Sequence, residues 1–170
     1  MKKYNIEIKV IKVILVIIWM ITIYCFSAQE GADSSDTSQS FTMMLIQTVT
    51  NGNVEIETST LNIIEGVIRK LAHYSIYTVG GFLIINYAYS TTTNNKKNIF
   101  YSILFGIGYA ITDEIHQYFV PGRSARLFDV GIDALGVITG VLIYLAILKV
   151  IKLLKGEKKS EYKCNATRSY

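Results

Sequence analysis

The apolar run that decides the fold spans residues 10–26 and reads VIKVILVIIWMITIYCF, with Lys12 as its one charged residue. Three further runs, over residues 71–89, 99–120 and 128–148, are also largely apolar. A membrane-spanning helix needs about 17–25 mostly apolar residues, and each run is long enough. A soluble core would show amphipathic periods instead. We therefore predict an all-α integral membrane bundle of four transmembrane helices.

The composition of the whole chain agrees with a membrane protein of one domain. Among the 170 residues, 51% are hydrophobic and 18% are charged, and soluble domains carry roughly 25% charged residues. Intrinsic disorder is excluded by this composition, and two cysteines are too few for a disulfide scaffold. The net charge of +4 comes from lysines beside the apolar runs, where they set topology and contact anionic lipid. We expect membrane lipids as partners and no nucleic acid.

The basic residues predict the orientation of the four helices. Lys and Arg concentrate on the cytoplasmic side of membrane proteins. Here, 13 of the 17 basic residues lie around the start of the first run, between the second and third runs, and after the fourth. Both termini are therefore predicted to be cytoplasmic. The predicted organisation is a cytoplasmic N-terminus (1–9), a membrane domain (10–148) with an extracytoplasmic loop (27–68), and a basic cytoplasmic tail (149–170).

The first run has one alternative interpretation, a cleaved signal peptide. Cys25, Phe26 and Ser27 loosely fit the small-x-small pattern that precedes a cleavage site. The run is long, however, and no other predicted helix would fill its place in the bundle. We therefore interpret it as a retained spanning helix.

Polar and ionisable residues gather at the predicted outer end of the bundle. Such residues are costly inside a membrane and usually face the bundle interior or a cavity. The outer ends of the second, third and fourth runs hold Lys70, His73 and Tyr77, then Asp113, Glu114 and Gln117, then Asp129 and Asp133. Four cations lie on this side against the orientation bias, namely Arg69, Lys70, Arg123 and Arg126. We infer a polar pocket that opens outward.

The pocket has the residue types that a phosphate-bearing lipid headgroup requires. Arginine binds phosphate oxygens with two parallel hydrogen bonds, and histidine titrates near neutral pH. The candidate catalytic residues are His73 as general base or nucleophile, with Asp113, Glu114 and Asp129 to orient groups or exchange protons. The candidate substrate-binding residues are Lys70, Tyr77, Gln117, Arg123, Arg126 and Asp133. A lipid-headgroup transferase or hydrolase fits this set.

Other interpretations of the cluster stay open. His73 alone could be a satisfied interior histidine, and the carboxylates could form static ion pairs with the four cations. A non-catalytic binder of headgroups or cell-wall precursors would use the arginines without the histidine, and a structural or transport role ranks below both. Two histidines and up to four carboxylates could also hold a divalent metal. No HExxH-type spacing is present, so we predict neither a metal nor another cofactor.

Gly136 and Gly140 form a GxxxG pair in the fourth run. Such a pair lets two helix backbones approach closely. We predict that it packs helices within one chain, and homodimerisation is the alternative.

Four stretches of the sequence resemble motifs of the VanZ-like family of bacterial membrane proteins. Residues 69–77, RKLAHYSIY, resemble its K-x-x-H-x-x-x-Y signature, and residues 113–125, DEIHQYFVPGRSA, resemble its D-E-x-x-Q-x-F-x-P-G-R motif. Residues 128–136, FDVGIDALG, resemble its D-x-x-x-N-x-x-G segment, and residues 26–29, FSAQ, resemble the F-S-S-Q end of its first helix. The family usually has asparagine where this chain has Asp133, so the chain carries an additional acidic group.

The resemblance implies a multi-pass protein of the bacterial plasma membrane with four helices. The namesake of the family is associated with low-level resistance to teicoplanin, a lipoglycopeptide antibiotic that acts at the cell wall. A link to glycopeptide tolerance is therefore expected here. Lipid-linked cell-wall precursors join membrane lipids as expected partners, because they would meet the pocket at the outer leaflet.

Overall fold

The described part of the protein consists of helices and their connections. The computed structural model describes residues 6–29, 31–50, 57–123 and 126–167. These ranges hold α1 (Ile6–Ser27), α2 (Gly31–Thr50), α3 (Thr58–Thr91), α4 (Asn95–Tyr118) and α5 (Leu127–Thr167). They contain no β-strand, so the predicted all-α class is confirmed for them.

Within these ranges, two helices are long and apolar enough to cross a membrane, whereas the sequence predicts four. They are α1 and the segment Leu127–Lys155 of α5. α3 and α4 cover the second and third predicted runs, but their tyrosines, glycines and polar side chains lower their mean hydropathy. In the two apolar helices, only 17% and 22% of the residues in the most apolar stretch are buried. Core helices of soluble proteins are mostly buried, so these exposed apolar faces agree with contact to lipid.

Two segments outside the predicted spans are helical as well. In the segment between the first two predicted spans, residues 27–68, α2 fills most of the first part and α3 begins at Thr58. The predicted tail, residues 149–170, continues α5 as far as Thr167. α2 packs against α3 and buries Thr42. α2 is therefore a helical cover on α3.

α1 is held in the bundle through Trp19. The indole packs edge-on against Tyr77 at 5.8 Å between ring centroids, and against Tyr109 at 5.2 Å. Its Nε1 donates a hydrogen bond to the carbonyl oxygen of Ile76 at 2.9 Å, and the Tyr109 hydroxyl donates to the carbonyl oxygen of Met20 at 2.6 Å. These contacts join α1 to both α3 and α4.

Small residues let α5 lie close to α3. A Cβ added at Gly136 would lie 2.6 Å from the carbonyl oxygen of Tyr74. One added at Gly140 would lie 2.7 Å from the backbone nitrogen of Phe82 and would overlap the carbonyl oxygen of Thr78. The GxxxG pair therefore packs helices within the chain, as predicted.

Short connections bring three helices together at one end of the bundle. Residues 92–94 join α3 to α4, and residues 119–126 join α4 to α5. Gly122 has φ 75° in the second connection, a left-handed conformation that glycine adopts without strain. Ser124 and Ala125 lie outside the described residues. The first part of α3, the end of α4 and the start of α5 thus meet at what we call the polar end.

Candidate functional site

Side-chain contacts at the polar end connect the helices that carry the predicted site. The Tyr77 hydroxyl of α3 donates a hydrogen bond to Asp113 of α4. His73 of α3 lies within ion-pair distance of Asp133 of α5. Residues that are far apart in the sequence therefore come into direct contact at the polar end.

Asp113 is the most fully hydrogen-bonded carboxylate of the site. Its Oδ2 accepts from the Tyr77 hydroxyl at 3.3 Å and from Gln117 Nε2 at 3.1 Å. All three side chains are buried. Two neutral donors on one oxygen fix the orientation of this carboxylate.

The pair of His73 and Asp133 has fewer partners. His73 Nδ1 lies 3.4 Å from Asp133 Oδ1, but neither atom makes a hydrogen bond. The other carboxylate oxygen of Asp133 accepts none either, although the residue is only 1% exposed. The histidine side chain is 28% exposed and borders the cavities described below. A buried carboxylate without hydrogen bonds is rare in folded proteins and marks this pair as unusual.

Glu114 and Asp129 hold the connection between α4 and α5. Glu114 Oε1 accepts a hydrogen bond from the backbone N–H of Arg126, and the backbone N–H of Asp129 donates to the carbonyl oxygen of Arg126 at 2.9 Å. Glu114 borders neither of the cavities described below, whereas Asp129 borders one. The contacts of Glu114 are therefore those of a residue that positions the connection.

The described contacts do not support static ion pairs between helices. That interpretation requires carboxylates in contact with lysine or arginine side chains. In the ranges that the structure covers, such a contact is absent for all four predicted carboxylates, which are Asp113, Glu114, Asp129 and Asp133. Two of these carboxylates act on a cation at longer range, since burial lowers the pKa of Arg123 and the charges of Asp113 and Glu114 act to raise it.

Two adjoining cavities open at the polar end. The first, of about 300 Å³, has mostly apolar walls that include Phe26, Phe41 and Ile76. The second, of about 180 Å³, is lined mainly by charged and polar side chains. The two cavities share Arg69, His73, Gln117 and Arg123. An apolar space and a polar space thus meet at these four side chains.

Two arginines stand close together at this junction. Arg123 Nη2 donates a hydrogen bond to the carbonyl oxygen of Phe26 at the end of α1, at 2.9 Å. Arg69 Nη2 lies 3.4 Å from Glu65 Oε1, one helical turn earlier. Burial lowers the pKa of Arg123, and the charge of Arg69 lowers it further. A bound anion between the two guanidinium groups would favour their charged forms and so raise the pKa of Arg123 again.

The other two cations border the polar cavity. The Lys70 ammonium lies 5.1 Å from the centre of the Phe128 ring, a distance typical of a cation–π contact. Arg126 is exposed and lines the same cavity. The four cations predicted on the outer side thus share one cavity, together with Asp129.

The sequence indicates one further site residue and misses others. Arg69 lines both cavities, and its place among the outer cations is the signal that indicates it. Ser38 and Phe41 of α2 line the apolar cavity. Nothing in their residue types predicts this, because the packing of α2 against α3 places them there.

The second histidine of the chain lies apart from the site. The ring of His116 stacks on Tyr24 with 4.7 Å between centroids, and it borders neither cavity. Of the two histidines, His73 is therefore the one in contact with the cavities.

Comparison with known proteins agrees with the motifs. A family model described as VanZ/LLP1 matches residues 12–149, which include every predicted site residue. No curated protein and no solved structure matches the chain significantly. A match over most of the chain shows that this protein belongs to the VanZ/LLP1 family.

Proposed function

We propose that this protein binds a phosphate-bearing lipid headgroup at the outer leaflet of the bacterial plasma membrane. The observation that carries the proposal is the junction of an apolar and a cationic cavity at Arg69, His73 and Arg123. A membrane lipid has the same division between an acyl chain and a charged headgroup. The apolar cavity fits part of a chain, and the cationic cavity fits a headgroup.

Phosphate is the anion that best fits the cationic cavity. The guanidinium groups of Arg69 and Arg123 can each form two hydrogen bonds to phosphate oxygens. Lys70 and Arg126 line the same cavity and add positive charge. Lipid-linked cell-wall precursors combine phosphate with a long apolar chain, so they belong to the same ligand class. Binding of such a precursor would connect the protein to teicoplanin tolerance.

A first prediction concerns this binding. Arg123→Gln should weaken binding of phosphatidylglycerol about 10–100-fold, because a hydrogen bond to a charged group contributes roughly 1.5–3 kcal/mol. Binding can be measured on the purified protein by native mass spectrometry, with diacylglycerol as the ligand without phosphate. Lys96→Gln removes an exposed cation at the other end of the bundle and is the matched control. Equal losses in the two variants, or equal binding of both lipids, would contradict the proposed headgroup site.

We further infer that α3 and α4 span the membrane together with α1 and α5, with both termini in the cytoplasm. α3 contacts each of the other four helices, and α4 packs on α1, α3 and α5. Helices packed side by side with two lipid-facing helices would share their depth. The distribution of lysines and arginines supports the proposed orientation, with both termini in the cytoplasm.

A second prediction tests this orientation. In a background with Cys25→Ser and Cys164→Ser, Ser59→Cys should react with a membrane-impermeant maleimide in intact cells. Thr93→Cys should react only after permeabilisation. Ser59 and Thr93 are both exposed, so a difference in labelling reports the side of the membrane. The reverse pattern would invert the proposed topology, and labelling of both in intact cells would contradict spanning by α3.

We propose that the bound headgroup is also transferred or hydrolysed, with His73 as general base or nucleophile. The imidazole borders both cavities and faces Asp133. A binder without turnover is the second candidate, and the contacts of two other predicted catalytic groups favour it. Asp113 accepts hydrogen bonds from two neutral side chains, and Glu114 accepts one from a backbone N–H. Such partners hold a carboxylate in place and do not activate it for catalysis.

A further inference from the structure

The geometry points to a divalent-cation site, of the kind that binds Zn²⁺, formed by His73, Asp113 and Asp133. One nitrogen or oxygen atom from each side chain lies within 4.8 Å of the other two. The residues come from α3, α4 and α5, so no short sequence motif contains them. This site does not depend on the proposed headgroup binding, and it would give His73 the role of a metal ligand in place of base or nucleophile.

The unsatisfied state of Asp133 is the first argument for a cation. Both of its carboxylate oxygens are buried without a hydrogen bond, and so is His73 Nδ1. A buried carboxylate needs hydrogen bonds or a counter-charge, and His73 at 3.4 Å can supply a single positive charge when it is protonated. Asp113 brings a second buried carboxylate to the same place. A divalent cation would balance two carboxylates and use the lone pairs that the protein leaves unused.

The distances agree with a small cation. Zinc binds histidine nitrogen and carboxylate oxygen at about 2.0–2.2 Å in tetrahedral geometry, so two of its ligand atoms lie about 3.3–3.6 Å apart. His73 Nδ1 and Asp133 Oδ1 are separated by 3.4 Å. The ligand atom of Asp113 lies within 4.8 Å of the other two.

The donor set selects the class of metal. One imidazole and two carboxylates favour Zn²⁺ and its first-row neighbours, whereas Mg²⁺ and Ca²⁺ prefer sites made of oxygen alone. The hydrogen bonds from Tyr77 and Gln117 to Asp113 would orient that ligand. Three protein ligands leave a fourth position open. Both His73 and Asp113 line the apolar cavity, so that position would be reached from the cavity.

Metal binding can be tested on the purified full-length protein in detergent, without any lipid substrate. After treatment with a chelator, Zn²⁺, Mn²⁺ and Mg²⁺ are titrated separately and the bound metal is measured by elemental analysis after dialysis. We expect about one Zn²⁺ per chain, with weaker binding of Mn²⁺ and the weakest binding of Mg²⁺. Asp133→Asn and His73→Gln should each lower the Zn²⁺ affinity at least about tenfold.

His116→Gln is the matched control, because it removes the other histidine of the chain from outside the site. It should keep the affinity of the wild type. Asp133→Asn should fold, because asparagine has nearly the same shape and volume as aspartate, and Trp19 fluorescence checks the fold of every variant. Absence of bound Zn²⁺ would overturn the site, as would an unchanged affinity in Asp133→Asn or tighter binding of Mg²⁺ than of Zn²⁺. None of these outcomes bears on phosphatidylglycerol binding, so the two proposals fail separately.

Discussion

Gly140→Ala is expected to remove most of the folded protein from the membrane. The added methyl group would overlap the carbonyl oxygen of Thr78 and lie 2.7 Å from the backbone nitrogen of Phe82. Both atoms belong to the backbone of α3, which cannot rotate aside as a side chain can. α5 must therefore move away from α3, and the free energy of unfolding should fall by on the order of 3 kcal/mol. The amount of protein in the membrane fraction and the midpoint of thermal unfolding measure this loss.

Gly131→Ala is the matched control for that experiment. Gly131 lies in the same helix, but a Cβ added there has no atom within 4 Å. Because alanine favours a helix over glycine by about 1 kcal/mol, this variant should be as stable as the wild type or slightly more stable. Equal stability of the Gly140→Ala and Gly131→Ala variants would contradict close packing of α3 on α5.

The fold class is predictable because long apolar runs leave few alternatives to helices. The GxxxG pair likewise predicts a close helix contact, which Gly136 and Gly140 make with α3. The full length of α2 over residues 31–50 is not predictable from hydropathy, because this helix is rich in serine and threonine. The number of spans is ambiguous for a related reason. α3 and α4 carry the polar residues of the candidate site. These residues lower the mean hydropathy of both helices.

The sequence predicts which residues belong to the candidate site better than it predicts the contacts between them. Cations at the predicted outer end, such as Arg69 and Arg123, indicate the cavity because the predicted orientation alone does not explain them. Periodicity cannot show that Asp113 contacts Tyr77 while Glu114 contacts the connection to α5, since adjacent Asp and Glu residues offer the same chemistry in the sequence. The closeness of three metal-ligating groups depends on the crossing of three helices, so it emerges only in the folded chain.

His73→Gln is expected to abolish turnover of the lipid headgroup while the protein stays in the membrane. Removal of a general base typically lowers a rate about 10²–10⁴-fold. Glutamine keeps a hydrogen-bonding group of similar length but cannot accept a proton at neutral pH. The lipid profile of a bacterial host that expresses each variant, measured by mass spectrometry, reports turnover. Lipoglycopeptide tolerance is measured in the same strains.

The comparison with two further variants separates an enzyme from a binder. If the protein is an enzyme, the change in the lipid profile is absent from strains that express His73→Gln or Arg123→Gln. It is kept in the His116→Gln strain, because that histidine borders neither cavity. If the protein is a binder, the strain is tolerant to the lipoglycopeptide without a change in its lipid profile. Of these variants, only Arg123→Gln then loses the tolerance. Chelation of the purified enzyme then distinguishes two roles of His73. Turnover that survives chelation makes the imidazole the base or nucleophile, and turnover that needs Zn²⁺ makes it a metal ligand. Full turnover in His73→Gln would contradict both roles, because this is the one histidine that reaches the cavities.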